Sequence, residues 1–201
     1  MKTFKDQILS KGLVSGHFIF HSSRHALLKF EFDNISKSRR MRNKTAKAIA
    51  KIIADSHPDV DAVASIGEGA NCLAAPVSRK VSRLLGRQVV GYETHANEAG
   101  DFRLAKGNIH AKDKSWVIID DVFTKGTTSR KVSSLLHKWN GSVLGVVTLL
   151  NRNSEGLTEI TNPSGGENIP VTSVVNHPMV DYMPEDCPMY PDCPTERAVI
   201  L

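Results

Sequence analysis

The sequence predicts an α/β protein: a central, mainly parallel sheet flanked by helices, with a small N-terminal hood subdomain ahead of it. Three observations carry this. Short apolar runs alternate with segments of helical periodicity, the succession that builds a parallel sheet covered on both faces. The run at residues 116–119 is continuous in apolar character, as expected of a strand buried on both sides, and that at 62–66 is apolar but for Ser65. Each gives way to polar, glycine-bearing residues and then a helical pattern, the arrangement that sets ligand loops along the carboxyl edge of a sheet.

Taken in order, Phe4, Ile8 and Leu9 form the apolar face of an amphipathic start that ends at Gly12, and short extended pieces follow at 18–20 and 27–32. Residues 1–36 are read as the hood, 37–175 as the core and 176–201 as a tail. In the core, Ala46, Ile49, Ala50 and Ile53 recur at helical spacing over 44–55, ahead of Pro58. The strand at 62–66 leads into a turn at Gly67, Glu68, Gly69, Ala70 and Asn71, a helix over 73–85 and a strand over 88–92. Residues 93–114 have little periodicity and are punctuated by Gly100 and Gly107; a loop of that length is functional or disordered. After the strand at 116–119, Val132, Leu135, Leu136 and Trp139 mark a helix, Asn140 and Gly141 its stop, and 142–150 a further strand. The tail carries five prolines and is expected to pack irregularly over the sheet edge.

Composition narrows the function. With 201 residues, 40% of them hydrophobic, the chain can bury one sizeable core. A formal charge of +5 suits anionic ligands. The basic residues cluster only at 37–51, where a helix would expose them as a solvated face with little aromatic interleaving, so nucleic acid is not the expected partner. Lys2, Lys5 and Asp6 interrupt any secretory segment, and the longest apolar run, 143–150, is too short to span a bilayer, so a cytoplasmic protein without a membrane partner is expected. The three cysteines, Cys72, Cys187 and Cys193, give no disulfide framework; Cys187, Cys193 and nearby His177 match no common zinc spacing.

The chemistry concentrates in WVIIDDVFTKGTTS at 116–129. Asp120 and Asp121 emerge at the end of an apolar strand; Thr124, Lys125, Gly126, Thr127 and Thr128 then make a turn rich in hydroxyls before a helix, whose first N–H groups suit an anion. Acids beside an anion site need a mediator, and a ribose supplies one: its vicinal hydroxyls donate to carboxylates, which can also hold hydrated Mg2+, while the turn takes a phosphate on the same sugar. Gly67, Glu68, Gly69, Ala70 and Asn71 form a second candidate anion loop, with Glu68 an awkward occupant unless it turns away or meets a metal-bound water.

This pattern resembles the 5-phosphoribosyl 1-diphosphate signature of type I phosphoribosyltransferases. The resemblance implies that family's fold, ribose recognition by Asp120 and Asp121, 5-phosphate binding by residues 124–128, pyrophosphate binding by residues 67–71, and Mg2+ held mainly through substrate and water. It tightens toward orotate phosphoribosyltransferases in SGHFIFHSSRH (15–25), with Ser23 in place of a glycine, in VVTLLNRNSEG (146–156), with Asn151 where an acid is usual, and in the tail. By that likeness Arg24 and Phe30 would face the base, Arg152 would pair with the carboxylate of orotate, and the protein would be a homodimer. The family's basic mobile loop departs here: Glu93, Thr94, Asn97 and Ala99 replace its cations, leaving His95, Arg103 and Lys106 as candidate catalytic-loop substitutes. Three functions stay open: transfer to orotate in pyrimidine nucleotide synthesis, transfer to another base, or a domain that senses the donor or a nucleotide without turnover.

Overall fold

A computed structural model describes residues 2–20, 22–105 and 111–189, and the backbone of 199–200. It opens with α1 (Phe4–Gly12), whose first turn is closed by a reciprocal cap between Thr3 and Asp6. Next come β1 (Leu13–Ile19) and β2 (His25–Phe30), an antiparallel hairpin. Ser23, at the turn between them, takes φ 59°, the left-handed conformation that a glycine would adopt at less cost. After a single turn, α2 (Asp33–Ser36), come α3 (Arg39–Ser56), β3 (Ala62–Ser65), α4 (Gly67–Leu85) and β4 (Val90–Tyr92). The chain continues through β5 (Thr94–Ala96), β6 (Phe102–Leu104), β7 (Ser115–Phe123), α5 (Thr127–His137), β8 (Ser142–Asn151), β9 (Glu159–Ile160), β10 (Ile169–Asn176) and β11 (Val199–Ile200).

The main sheet has six strands in the order β4-β3-β7-β8-β10-β9, parallel throughout except for the short edge pair of β9 and β10. Alternation along β7 explains the layers. Val117 and Ile119 face a core shared with Ile49 and Ile53 of α3 and Leu73 and Val77 of α4. Trp116 and Ile118 point the other way, onto Val132 and Leu136 of α5. The hood pairs β1 with both β2 and, in parallel, β11, so the tail returns to the hood's free edge. Among the described residues, no helix is long and apolar enough to cross a membrane.

The α/β class, the parallel sheet and the N-terminal hood are as the sequence predicts, and several boundaries move for local reasons. Helix α3 starts at Arg39 because the Ser38 hydroxyl accepts from the Met41 N–H. Residues 67–71 are the first turn of α4, not a loop before it; the buried stripe already begins at Ala70. The region from 93 contains the β5–β6 hairpin, whose three-residue strands are too short to display a period. Strand β7 continues through the acid pair to Phe123, with Val122 in register with Leu150. At the end of α5 the left-handed residue is Asn140, φ 56°. Gly141 answers a packing need instead, because a Cβ there would lie 2.5 Å from Trp116 Nε1. β10 supplies a sixth-strand neighbour that the periodicity of residues 169–176 had not singled out.

Candidate active site

Asp120 and Asp121 stand near the carboxyl end of β7, Asp120 only 8% exposed. The Asp121 N–H donates to Asp120 Oδ1 at 2.9 Å. Burial, and then the neighbouring Asp121 charge, holds the Asp120 carboxyl well above the usual carboxylate range. Burial also raises Asp121, against hydrogen bonding with Asp120 that pulls it down. Two carboxyls so placed are costly as anions unless hydroxyl donors or a cation join them.

Two helix starts converge on this pair. At α4, a Cβ on Gly69 would lie 2.7 Å from Asp121 Oδ2, so the absence of a side chain lets the carboxylate rest against the first turn. At α5, Gly126 has φ 69°, and a Cβ there would meet Ile160 Cγ2 at 2.4 Å; glycine is required by both conformation and space. Neither helix is capped by its own N-cap side chain, so the first-turn N–H groups, apart from that of Gly67, which donates to Thr94 Oγ1, are left for an anion. A small pocket of about 50 Å³ is lined by Asp120, Val122, Phe123, Thr124, Gly126, Thr127, Thr128 and Ser129. The buried Ser129 Oγ has no hydrogen-bond partner among the described residues. Lys125 is exposed and does not line this pocket. The sequence reading passed over Ser129, although it sits at helical spacing inside the same turn-to-helix motif.

The 67–71 segment is partly committed elsewhere. The Gly67 N–H donates to Thr94 Oγ1 at 3.3 Å, Asn71 Nδ2 donates to Thr94 O at 3.1 Å, and Ser65 Oγ donates to Asn71 Oδ1 at 2.5 Å. Thr94 Oγ1 in turn donates to Ser65 O at 2.6 Å. Asn71 is thus a brace between α4, β3 and β5, and its amide group is spent inside the protein. Glu68 is exposed, its carboxylate among solvent-facing groups, while Gly69 and Ala70 remain at the helix start.

His95 and Arg103 are brought together as cross-strand neighbours of the β5–β6 hairpin and line a cavity of about 460 Å³ with Leu104 and Ala105. Lys131 Nζ donates to Gly100 O at 3.1 Å, which ties the hairpin tip to α5. Lys106 lies outside the described residues.

On the hood side the predicted trio separates. Phe30 does not face an open site: its ring is buried in the core beside Ile8 and Ile35, and it leaves no room for a Cβ at Gly12. Strand parity places it there, since Leu28 and Phe30, two apart on β2, both pack on this core. Arg24 Nη2 donates to Asp181 O at 2.9 Å. Arg152, 7% exposed, donates through Nη2 to Asp181 Oδ1 and stacks on the Phe20 ring, 4.9 Å from its centroid. Asp181 and Phe20 are therefore the residues missed from the sequence; each is remote from Arg152 along the chain, so no local pattern marks them. Asn151 explains its own departure from an acid: Nδ2 donates to Leu157 O at 3.0 Å while Oδ1 accepts from the Asn153 N–H at 2.9 Å. An aspartate could do only the second.

Asp120 and Asp121 offer the oxygen ligands that a hard cation takes. Among the described residues no third acid, His or Cys joins them in a ligand cluster, so Mg2+ there would complete its shell from water and substrate oxygens.

The comparisons with known proteins agree with this geometry. Residues 31–182 match the family model described as phosphoribosyl transferase domain. The chain is 23% identical over 194 residues to orotate phosphoribosyltransferase of Carboxydothermus hydrogenoformans, covering 94% of this chain and 91% of that protein. It is 26% identical over 179 residues to the orotate phosphoribosyltransferase of a Methylobacterium species, covering 89% and 86%. Among solved structures, orotate phosphoribosyltransferase from Aeropyrum pernix superposes with a TM-score of 0.61 at 16% identity, over 85% of this chain and 92% of that one. A phosphoribosyltransferase from Corynebacterium diphtheriae gives 0.61 at 18% identity, over 86% and 93%. With a family match over most of its length and the buried acid pair set between two open helix starts, the chain belongs to the phosphoribosyltransferase domain family.

Proposed function

We propose that this protein transfers a phosphoribosyl group from 5-phosphoribosyl 1-diphosphate to a ring nitrogen of a pyrimidine-type base, with orotate the acceptor that its relatives' names suggest. The C1–O bond to diphosphate breaks, a C1–N bond forms, and the ring N–H proton leaves to solvent. The observation that carries the proposal is the buried acid pair between two uncapped helix starts. Asp120 and Asp121 accept from the ribose hydroxyls and stabilise the positive charge that develops on the sugar. The α5 first turn, with Thr127, Thr128 and Ser129, holds the 5-phosphate. The α4 start at Glu68, Gly69 and Ala70 faces the diphosphate, and His95, Arg103 and Lys106 supply positive charge as it departs; each such contact is worth on the order of 3 kcal/mol. Mg2+, when bound, offsets diphosphate charge as a Lewis acid. A homodimeric, cytoplasmic enzyme is part of the same proposal.

A second reading is favoured by one contact. Asp181 already gives Arg152 a carboxylate, so the acceptor would be a base without one. Calorimetry with the donor in Mg2+ buffer, followed by pyrophosphate release with orotate and with uracil, separates the cases. Donor binding and release with orotate support the proposal; release with uracil alone supports the second reading. Donor binding without release from any base identifies a sensor, and no donor binding refutes the site.

A further inference from the structure

Outside the acid pair, one cluster of chemically competent side chains joins three parts of the chain. His17 lies in a β-bulge of β1, where the register with β2 slips between Ser15 and Phe18; bulges re-aim side chains in this way. His25 begins β2, and its backbone N–H and C=O both bond to Tyr182, at 2.9 and 2.8 Å, which brings the tail alongside. Cys187 follows five residues later, after a turn of 3-10 helix at Pro184–Asp186. Its side chain is buried, as is that of His25.

We infer that His17 Nε2, His25 Nδ1 and Cys187 Sγ bind a single zinc ion as three of its ligands. His17 Nε2 lies 3.1 Å from His25 Nδ1 and 3.5 Å from Cys187 Sγ, and all three ligand atoms fall within 4.8 Å of one another. Zinc sits about 2.0–2.1 Å from nitrogen and about 2.3 Å from sulfur, so a tetrahedral site has edges of roughly 3.3 Å between nitrogens and roughly 3.6 Å from nitrogen to sulfur. Two edges are already at those lengths. A hydrogen-bonded trio explains the convergence less well: His17 Nε2 carries one proton or one lone pair, yet it meets two partners. A central dication would give all three atoms one shared partner.

The donor set is borderline-soft, two imidazoles and a thiolate, which suits zinc over Mg2+ or Ca2+. His177, the histidine near the tail cysteines in sequence, is not in the cluster found among the described residues; its backbone N–H bonds to Asn151 O at 3.0 Å. The ion would fasten the tail to the hood just beyond Asp181 and Met183, the residues that hold Arg24, so it would also steady the acceptor side of the proposed active site.

The test uses the full chain, stripped with a chelator and then titrated with zinc alone against a chromophoric competitor. One tightly held equivalent is expected. Cobalt(II) in place of zinc should give the intense visible absorption of a tetrahedral site and a thiolate-to-metal charge-transfer band. Cys187→Ser should lose that band, and His17→Ala should keep it while weakening zinc by more than the ~10–100-fold that an outer-shell partner typically commands. Cys72→Ser should change neither. Failure of the wild-type chain to retain zinc overturns the inference whether or not the variants fold. So does a charge-transfer band that survives undiminished in Cys187→Ser.

Discussion

Gly69→Ala separates the function of the acid pair from the stability of the fold. Gly69 lies in the first turn of α4 at an exposed position with ordinary helical φ, so alanine there is favoured by propensity, by up to about 1 kcal/mol. The added Cβ, however, falls 2.7 Å from Asp121 Oδ2 and 3.1 Å from its Cγ. To reach the 3.0–3.4 Å at which tight contacts begin, the carboxylate must retreat by about 0.3–0.7 Å. That movement is opposed by the hydrogen bonding of the Asp121 carboxyl with Asp120. Misplacement by about 1 Å can cost ~100-fold in reactivity, so roughly a tenfold loss of donor affinity, about 1.4 kcal/mol, is expected. Thermal unfolding should be unchanged or slightly raised. Calorimetry with 5-phosphoribosyl 1-diphosphate and a melting curve on the same preparation measure both. Wild-type donor affinity in Gly69→Ala would refute the argument that Asp121 grips the ribose, and a large drop in melting temperature would refute the claim that Gly69 serves the site and not the helix.

Two further outcomes follow from the electrostatics. Because burial raises the folded-state Asp120 carboxyl above its unfolded value, the stability it contributes is complete below the unfolded pKa and is lost as pH rises through the folded one. Asp120→Asn should therefore be stabilising relative to wild type at neutral pH, with the advantage shrinking as pH falls into the ordinary carboxylate range, and it should weaken donor binding; urea unfolding across pH shows the trend, and a flat or inverted difference contradicts it. Asp181→Asn removes the charge that occupies Arg152 and should lower the KM for a carboxylate-bearing base such as orotate while leaving donor affinity unchanged; a raised KM would mean that Asp181 positions Arg152 for the base instead of competing with it.

What could be seen in the sequence was whatever is decided locally. Strand β7 is covered on both faces, so its run at 116–119 is continuous. The proposed ribose-phosphate motif could be seen because its parts, Asp120 to Thr128, lie within one strand-to-helix turn. What stayed hidden was decided by topology. Arg152 meets Phe20 and Asp181 only because β8 ends beside both the hood and the tail, and Thr94 meets Ser65 and Asn71 only because β4 and β5 pass the carboxyl end of β3. Phe30 was assigned to the base by likeness to other chains, and its burial follows from the parity of β2, which a likeness does not contain.

The treatment of helix ends ties the site to the chemistry. Away from the acid pair the chain caps its longer helices with side chains, Thr3 on α1 and Ser38 on α3. At α4 and α5 it places Ile66 and Gly126, which offer no side-chain acceptor. A cap is worth about 1 kcal/mol, so the uncapped start of α5 is a stability cost of that order, and α4 recovers only its Gly67 N–H through Thr94 Oγ1; both ends lie where the Asp120 and Asp121 carboxyls are held above their ordinary range. Taken alone, each is a defect of the folded state. Together they are complementary to one kind of ligand, a molecule with anionic groups for the two helix starts and vicinal hydroxyl donors between them for the acids. A sugar bearing phosphate at one end and diphosphate at the other has that distribution of charge and donors, and its binding would remove both costs at once.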